Sequence, residues 1–297
     1  MGAPVRVQWD PERDLRPPPL PYRACRDQAA WDVLARAEAT HGRRIITPSV
    51  AKKARQMTIA KLCAGASGYA YKEWQGSFYP EKIDADAMLA WYAQRLPAVE
   101  INNTFYRLPK AEVLARWASQ TPPEFRFAIK ASRRITHDAR LKVDTAADAL
   151  AYLYRNLASL GDKRGPVLFQ LPPFLKQDVP RLKAFLEILP EGHRAAFEFR
   201  DPSWHDDEVY AALRDHKAVL VASEREGHDA PPPLIETAPW GYLRLRLEHY
   251  EEGDLARWLE RVAATGWQEV HAYFMHEPTA PGYAATLLRL HAAAAQR

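Results

Sequence analysis

Glu198 and Arg200 stand two residues apart at the end of the apolar run Phe197-Glu198-Phe199-Arg200. A carboxylate beside a guanidinium is favoured in its ionised form, which suits Glu198 to orienting a substrate or to taking up and returning a proton. The same construction recurs in Val99-Glu100-Ile101-Asn102, Phe127-Ala128-Ile129-Lys130, Val167-Leu168-Phe169-Gln170 and Tyr242-Leu243-Arg244-Leu245-Arg246. Side chains alternate faces along a strand, so Glu100 shares a face with Asn102, Glu198 with Arg200, and Arg244 with Arg246. Charge on a buried strand is costly unless it is paired. One polar pocket gathered at the C-terminal ends of several parallel strands accounts for all five runs.

Lys130 in such a place is either an electrostatic clamp or, when desolvated, an amine nucleophile of the Schiff-base kind. Arg133, Arg134 and His137 follow it in one loop, a pattern that favours an anion-binding rim and hence the clamp. Glu100 demands a partner, with Lys130 on the next strand and Arg246 across the barrel as the candidates. Asn102, Tyr106 and Gln170 are suited to reading hydroxyls or amides of a ligand. Arg200, Arg244 and Arg246 with Tyr71, Trp74 and Trp204 complete the expected lining, since aromatic rings near guanidiniums fit a ligand with a flat or sugar-like face and a negative group. Any single tryptophan serves equally well as packing at the rim; their convergence carries the reading.

Other chemistries are poorly supported. His137, His205, His249, His271 and His276 are scattered without an H-E-x-x-H or H-x-H spacing, so no metal site is expected. No G-x-S-x-G elbow occurs. A glycosidase needs two opposed carboxylates, whereas the fourth and seventh strands end in Gln170 and in arginines.

The elements that must position these residues alternate along the chain. Candidate strands are Leu62 to Ser67, Ala98 to Asn102, Phe125 to Lys130, Pro166 to Leu171, Ala195 to Arg200, Ala218 to Ala222, Gly241 to Arg246 and Glu269 to Met275. Helical patterns lie between and after them over Asp84 to Arg95, Lys110 to Ser119, Thr145 to Leu160, Pro180 to Leu189, Asp206 to Asp215, Gly253 to Ala264 and Gly282 to Ala293. This alternation predicts an α/β chain folded as a (β/α)8 TIM-like barrel over residues 57–297. A doubly wound open sheet is the runner-up, and it would favour a G-x-G-x-x-G turn that is absent.

Charge divides the chain. Residues 1–56 carry 11 Lys and Arg against 6 Asp and Glu, and the remainder carries 30 against 31, so the net charge of +4 comes from the N-terminal segment. That segment also holds Pro17-Pro18-Pro19 and Pro21, with a short helical pattern around Ala29 to Ala39. It reads as a basic, partly disordered extension joined to a domain that starts near Met57, or as a tail that helps to bind an anionic partner; the first reading is preferred. Two cysteines without metal or redox spacing, and no apolar run near the roughly 20 residues of a membrane span, point to a reduced, cytoplasmic protein.

The motifs Gly65 to Trp74 (GASGYAYKEW), Phe78 to Pro80 (FYP), Val99 to Pro109 (VEINNTFYRLP), Phe127 to His137 (FAIKASRRITH), Gly165 to Pro173 (GPVLFQLPP) and Phe197 to Trp204 (FEFRDPSW) closely resemble the domain of unknown function 72 family, also called YecE-like. The resemblance runs from about Met57 to the C-terminus and implies a TIM-like barrel without supplying a reaction. The chain departs from the commonest family pattern at Phe274-Met275-His276-Glu277-Pro278 and in lacking a His-Gly pair after Arg246, which implies a modified site rim. His276 and Glu277 would join Glu198 if the strand ends converge.

The expected function is that of a metal-independent, cofactor-free enzyme acting on a small anionic substrate, phosphorylated or carboxylated, sugar-like or nucleotide-like. Glu198 and Lys130 would be its catalytic residues. The alternatives are a nucleic-acid-binding or repair-associated barrel without catalytic metal, and a non-catalytic ligand sensor. No membrane partner is expected, and the oligomeric state is not readable from sequence.

Overall fold

The computed structural model describes residues 60–224, 230–275 and 279–296. The N-terminal extension, the Met57 boundary and the His276-Glu277 turn lie outside the described residues. Nine strands run in parallel: β1 (Lys61–Ala66), β2 (Ala98–Ile101), β3 (Arg126–Lys130), β4 (Arg164–Gln170), β5 (Ala195–Glu198), β6 (Val219–Leu220), β7 (Ala222–Ser223), β8 (Trp240–Leu245) and β9 (Glu269–Phe274). Their order is β6-β5-β4-β3-β2-β1-β9-β8-β7. Between β6 and β7 stands only Val221, whose N–H donates to the Phe197 carbonyl at 2.9 Å, while Glu224 N–H donates to the Arg244 carbonyl at 3.0 Å. One strand thus leans on β5 at its start and on β8 at its end. The ring closes through it, and the expected single strand over Ala218 to Ala222 is split at Val221.

Among the described residues seven α-helices follow the strands: α1 (Ala85–Ala93), α2 (Ala111–Ser119), α3 (Val143–Leu157), α4 (Val179–Glu187), α5 (Asp207–Asp215), α6 (Glu252–Ala263) and α7 (Ala280–Ala295). Local chemistry fixes several starts. The Asp178 carboxylate accepts from Arg181 N–H at 3.0 Å ahead of Pro180, and Asp206 accepts from Glu208 N–H at 2.9 Å. Each such cap satisfies an orphan donor and is worth about 1 kcal/mol. The helices bury one face each; α2 turns Leu114 and Trp117 inward, and α6 turns Leu255, Trp258 and Val262.

Strand alternation sorts the core into two layers. Phe127, Phe169 and Phe197 point outward to the helices, with Phe169 5.4 Å from Phe185 of α4. Cys63, Ala98, Ala128, Leu168, Ala196, Val219, Val221, Trp240, Tyr242 and Tyr273 form the lumen. The small residues on β2, β3 and β5 make room for the rings of Trp240, Tyr242 and Tyr273, so the lower barrel is filled and any pocket must lie above this layer, at the C-terminal ends.

Candidate functional site

Directly above the aromatic layer, the Arg244 guanidinium lies on the barrel axis side of β8, 1% exposed. Its Nη2 donates to Glu100 Oε1 at 2.8 Å and its Nε to Glu100 Oε2 at 3.1 Å. Its Nη1 donates to Glu198 Oε2 at 2.6 Å. One cation therefore bridges carboxylates from β2 and β5. Glu100 also accepts from Ser67 Oγ–H and from Tyr242 O–H, both at 2.6 Å, and Glu198 accepts from Gln170 Nε2 at 2.8 Å. Burial alone would raise both carboxyls, but Arg244 and these donors hold Glu100 below the ordinary carboxylate range and Glu198 well below it. Both stay ionised at neutral pH.

A second tier stands nearer the mouth. Arg246 Nη2 lies 3.3 Å from Glu198 Oε1 and its Nε donates to Ser223 Oγ at 3.0 Å. Arg200 Nε lies 3.8 Å from the same carboxylate oxygen. Asn102 Nδ2 donates to Ser67 Oγ, and Arg244 Nη2 reaches Asn102 Oδ1 at 3.4 Å. Desolvation and the neighbouring Arg244 lower Arg246 to about 10, which leaves it charged at neutral pH.

Lys130, at the end of β3, differs from these cations. Its Nζ sits 4.5 Å from the Phe105 ring centroid, and among the described residues it makes no hydrogen bond or ion pair. The carboxylates that would serve it are already bonded to Arg244 and Arg246. Desolvation is the main reason that its amine is pushed down to about 7; Arg244 adds to the effect, Glu198 and Glu100 oppose it, and Arg200 adds again. His137 packs edge-on against Phe105 at 4.8 Å, with Nδ1 2.9 Å from Thr136 Oγ1. Burial and then Lys130 push it down to about 4, so it is a neutral imidazole.

A family model described as a protein of unknown function, DUF72, matches residues 63–297. The chain belongs to the DUF72 family. It is 35% identical over 214 residues to the UPF0759 protein YecE of Escherichia coli, covering 63% of this chain and 78% of that protein. Over 150 residues it is 30% identical to the UPF0759 protein YunF of Bacillus subtilis, covering 45% of this chain and 50% of that one. The crystal structure of a DUF72 family protein from Thermotoga maritima superposes with a TM-score of 0.66 at 24% identity, over 79% of this chain and 99% of that one. One from Enterococcus faecalis gives 0.65 at 18%, over 78% and 95%. These structural likenesses agree with the α/β barrel.

In this DUF72 chain the ring of strands brings together Glu100, Asn102, Gln170, Glu198, Arg200, Arg244 and Arg246, with Lys130 beside them. The partner of Glu100 is neither Lys130 nor Arg246 but Arg244, which reaches it at 2.8 Å, while Arg246, one pleat further along the chain, meets Glu198 at 3.3 Å. The aromatic residues take other positions. Trp74 is fully buried among Tyr71, Phe78, Tyr79 and Tyr92. Trp204, also fully buried, stacks on Phe199 at 4.6 Å and donates Nε1–H to the Leu175 carbonyl at 2.7 Å. Both pack the wall rather than face the lumen. Tyr71 is half-buried, with its O–H on the Ser67 carbonyl at 2.8 Å, and Tyr106 is 41% exposed in a groove beside the mouth.

Sequence reasoning missed Ser67, Tyr242 and Ser223. Tyr242 was open to discovery, since it precedes Arg244 by one pleat and must share its face. Glu224 was missed as well: it accepts from Arg246 N–H at 2.8 Å, from Tyr250 O–H and from Trp258 Nε1–H at 3.0 Å, locking the start of the β7 loop to α6. At the opposite end of the barrel, Cys63, Glu269 and His271 bring their ligand-type atoms within 4.8 Å of one another. Arg194 Nη1 is 2.6 Å from Glu269 Oε1, and His271 Nε2 2.9 Å from it. Burial pushes the Cys63 thiol up to about 11. A protonated thiol and a guanidinium on the carboxylate make this group a polar floor, packed through His271 against the rings of Trp240, Tyr242 and Tyr273. Among the described residues no helix is long and apolar enough to cross a membrane.

Proposed function

We propose that this barrel is a metal-independent enzyme acting on a small anionic substrate, phosphorylated or carboxylated and sugar-like or nucleotide-like, at its C-terminal face. The observation that carries the reading is the gathering of three guanidiniums, Arg200, Arg244 and Arg246, and one amine, Lys130, around the carboxylates Glu100 and Glu198 inside a closed ring. Among the described residues the three guanidiniums outnumber the two carboxylates that they touch, Glu100 and Glu198, and a bound anion restores the balance. Glu100 and Glu198 are spoken for by guanidinium nitrogens, which favours chemistry run by side chains. Arg200 and Arg246 hold the negative group, while Asn102, Gln170 and Tyr106 orient the remainder of the substrate. Glu198, held ionised by three cations, is a poor proton carrier; its part is to aim the guanidiniums. The acid-base role passes to Lys130, which changes protonation near neutrality.

The test is a thermal-shift series on the full chain with inorganic phosphate, phosphorylated metabolites and sugar acids. At least one anion raises Tm in the parent by linkage and fails to do so in Arg246→Met. Equal stabilisation of both proteins would remove the anion pocket from the mouth.

A second reading rests on one feature. A groove of about 1080 Å³ beside the mouth presents Arg107, Lys110, Arg134, Arg140, Lys142 and Arg155 against the two acids Asp138 and Asp148. Tyr106 and Tyr152, 41% and 46% exposed, stand in the same groove. Cations interleaved with open aromatic rings suit single-stranded nucleic acid. Oligonucleotide affinity that falls steeply with salt, and falls again in Arg140→Glu/Lys142→Glu, favours this reading; salt-independent or absent binding rejects it.

A further inference from the structure

We propose, building on the anionic-substrate reading, that Lys130 is an amine nucleophile that forms an imine with an anionic aldehyde or ketone bound at the barrel mouth. Position is the first argument. Lys130 ends β3 with its side chain in the upper lumen, above the packed aromatic layer and below the rim, where a substrate must come to rest. The second argument is its lack of engagement. Among the described residues the other charged groups of the upper lumen are tied down: Arg244 to Glu100 and Glu198, Arg246 to Glu198 and Ser223, Arg200 to Glu198, Glu198 to Gln170, and Glu100 to Ser67 and Tyr242. The Lys130 amine rests instead against a ring face, that of Phe105. A lysine meant to clamp an anion or to close an ion pair would be placed beside a carboxylate or kept hydrated.

The third argument is the surroundings. Arg244 and Arg200 disfavour a second positive charge, the Phe105 and His137 rings exclude water, and the carboxylates Glu198 and Glu100 are shared among guanidiniums. A desolvated amine among other cations is the setting in which lysine reacts as a free base. Arg200 and Arg246 also supply what a carbonyl substrate with a phosphate or carboxylate needs, a fixed grip on its charged end while the carbonyl meets Nζ.

The step balances without a further reactant. The Nζ lone pair attacks the carbonyl carbon, a C–N bond forms, and the carbonyl π pair moves to oxygen, which takes a proton as the nitrogen loses one. The carbinolamine then loses its oxygen as water on a second protonation, leaving a protonated imine. Carbonyl compound, amine and one proton give iminium and water. The iminium withdraws electrons from the adjacent carbon, so the reactions it serves are those that break a C–H or C–C bond next to the former carbonyl.

The experiment is reductive trapping on the full chain. Pyruvate, glyoxylate and dihydroxyacetone phosphate are supplied in turn with sodium cyanoborohydride, and the product is read by intact mass and peptide mapping. The expected result is one saturable addition on the peptide holding Lys130, formed roughly tenfold faster than at any surface lysine. It rises from pH 6 to pH 8 and then levels, whereas ordinary lysines keep gaining towards pH 10. Inorganic phosphate slows it. Lys130→Arg, which keeps a cation and serves as the control for folding, loses this addition while labelling at other lysines continues. Additions confined to surface lysines with all three carbonyl compounds would overturn the imine. If anions still raise Tm in that case, the anion pocket stands and only the imine falls; if no anion does, both fall together.

Discussion

Arg244 illustrates what a buried charge costs and what keeps it in place. It is fully enclosed, yet it meets four oxygen contacts on two carboxylates and an amide. Replacing one partner of such a group leaves the others desolvated and unpaired, so Arg244→Met destabilises the fold by about 3–5 kcal/mol, measured by urea unfolding. Lys130 behaves in the opposite sense. Its amine titrates near 7 in the fold against an ordinary 10.5, so between these values the unfolded chain binds more protons and stability rises with pH. Lys130→Met therefore raises Tm by roughly 2–4 °C at pH 6, and the gain disappears by about pH 10. An unchanged or lowered Tm at pH 6 would show that the amine is hydrated in the fold. At this scale the sequence reveals which side chains share a face, because the pleat forces Glu100 with Asn102, Glu198 with Arg200 and Arg244 with Arg246. It does not reveal which cation meets which carboxylate. That choice depends on the height of each residue around the ring, and a difference of one pleat between Arg244 and Arg246 decides it.

Elements carry the positions of these side chains. Helices and strands fall close to their expected spans, since apolar periodicity and caps such as Asp178 and Asp206 are local signals. The break at Val221 is not local. Ala218 to Ala222 is a continuous apolar run, and only the change of partner from β5 to β8 divides it. The tryptophans mislead for a related reason: an aromatic ring next to charged residues looks the same in sequence whether it lines a pocket or packs the wall, as Trp74 and Trp204 do. Close approach also sets one glycine. A Cβ built on Gly65 would lie 1.8 Å from the Ala98 carbonyl oxygen, at the point where β1 meets β2. Gly65→Ala must push the two backbones apart, a loss of about 2–4 kcal/mol by the same unfolding assay. Gly282, in the first turns of α7, has open space around its Cα, so Gly282→Ala is neutral or stabilises by up to about 1 kcal/mol. The contrast separates a contact glycine from a tolerated one.

For the whole molecule, the closed ring explains why polar groups are confined to its two ends. The lumen between the floor group of Cys63, Glu269, His271 and Arg194 and the mouth group around Arg244 is filled by Trp240, Tyr242 and Tyr273, with the Tyr242 ring 6.4 Å from His271 and its O–H on Glu100. The fold was legible as a barrel because eight apolar runs alternate with helical patterns, and the polar ends of those runs pointed to the mouth. The pairing of the site was not legible, since it depends on which groups meet after folding; among the described residues the Lys130 amine is left without a hydrogen bond or ion pair, against the Phe105 ring. The central claim is that this mouth binds a small anion through Arg200 and Arg246 beside a neutral amine. Its most direct test is isothermal titration of the full chain with dihydroxyacetone phosphate and with inorganic phosphate, at pH 6 and pH 8, beside Arg246→Met. The account predicts saturable binding to the parent that weakens at least tenfold in the variant, equivalent to about 1.4 kcal/mol. Binding of equal strength to both proteins, or none to either, would contradict it.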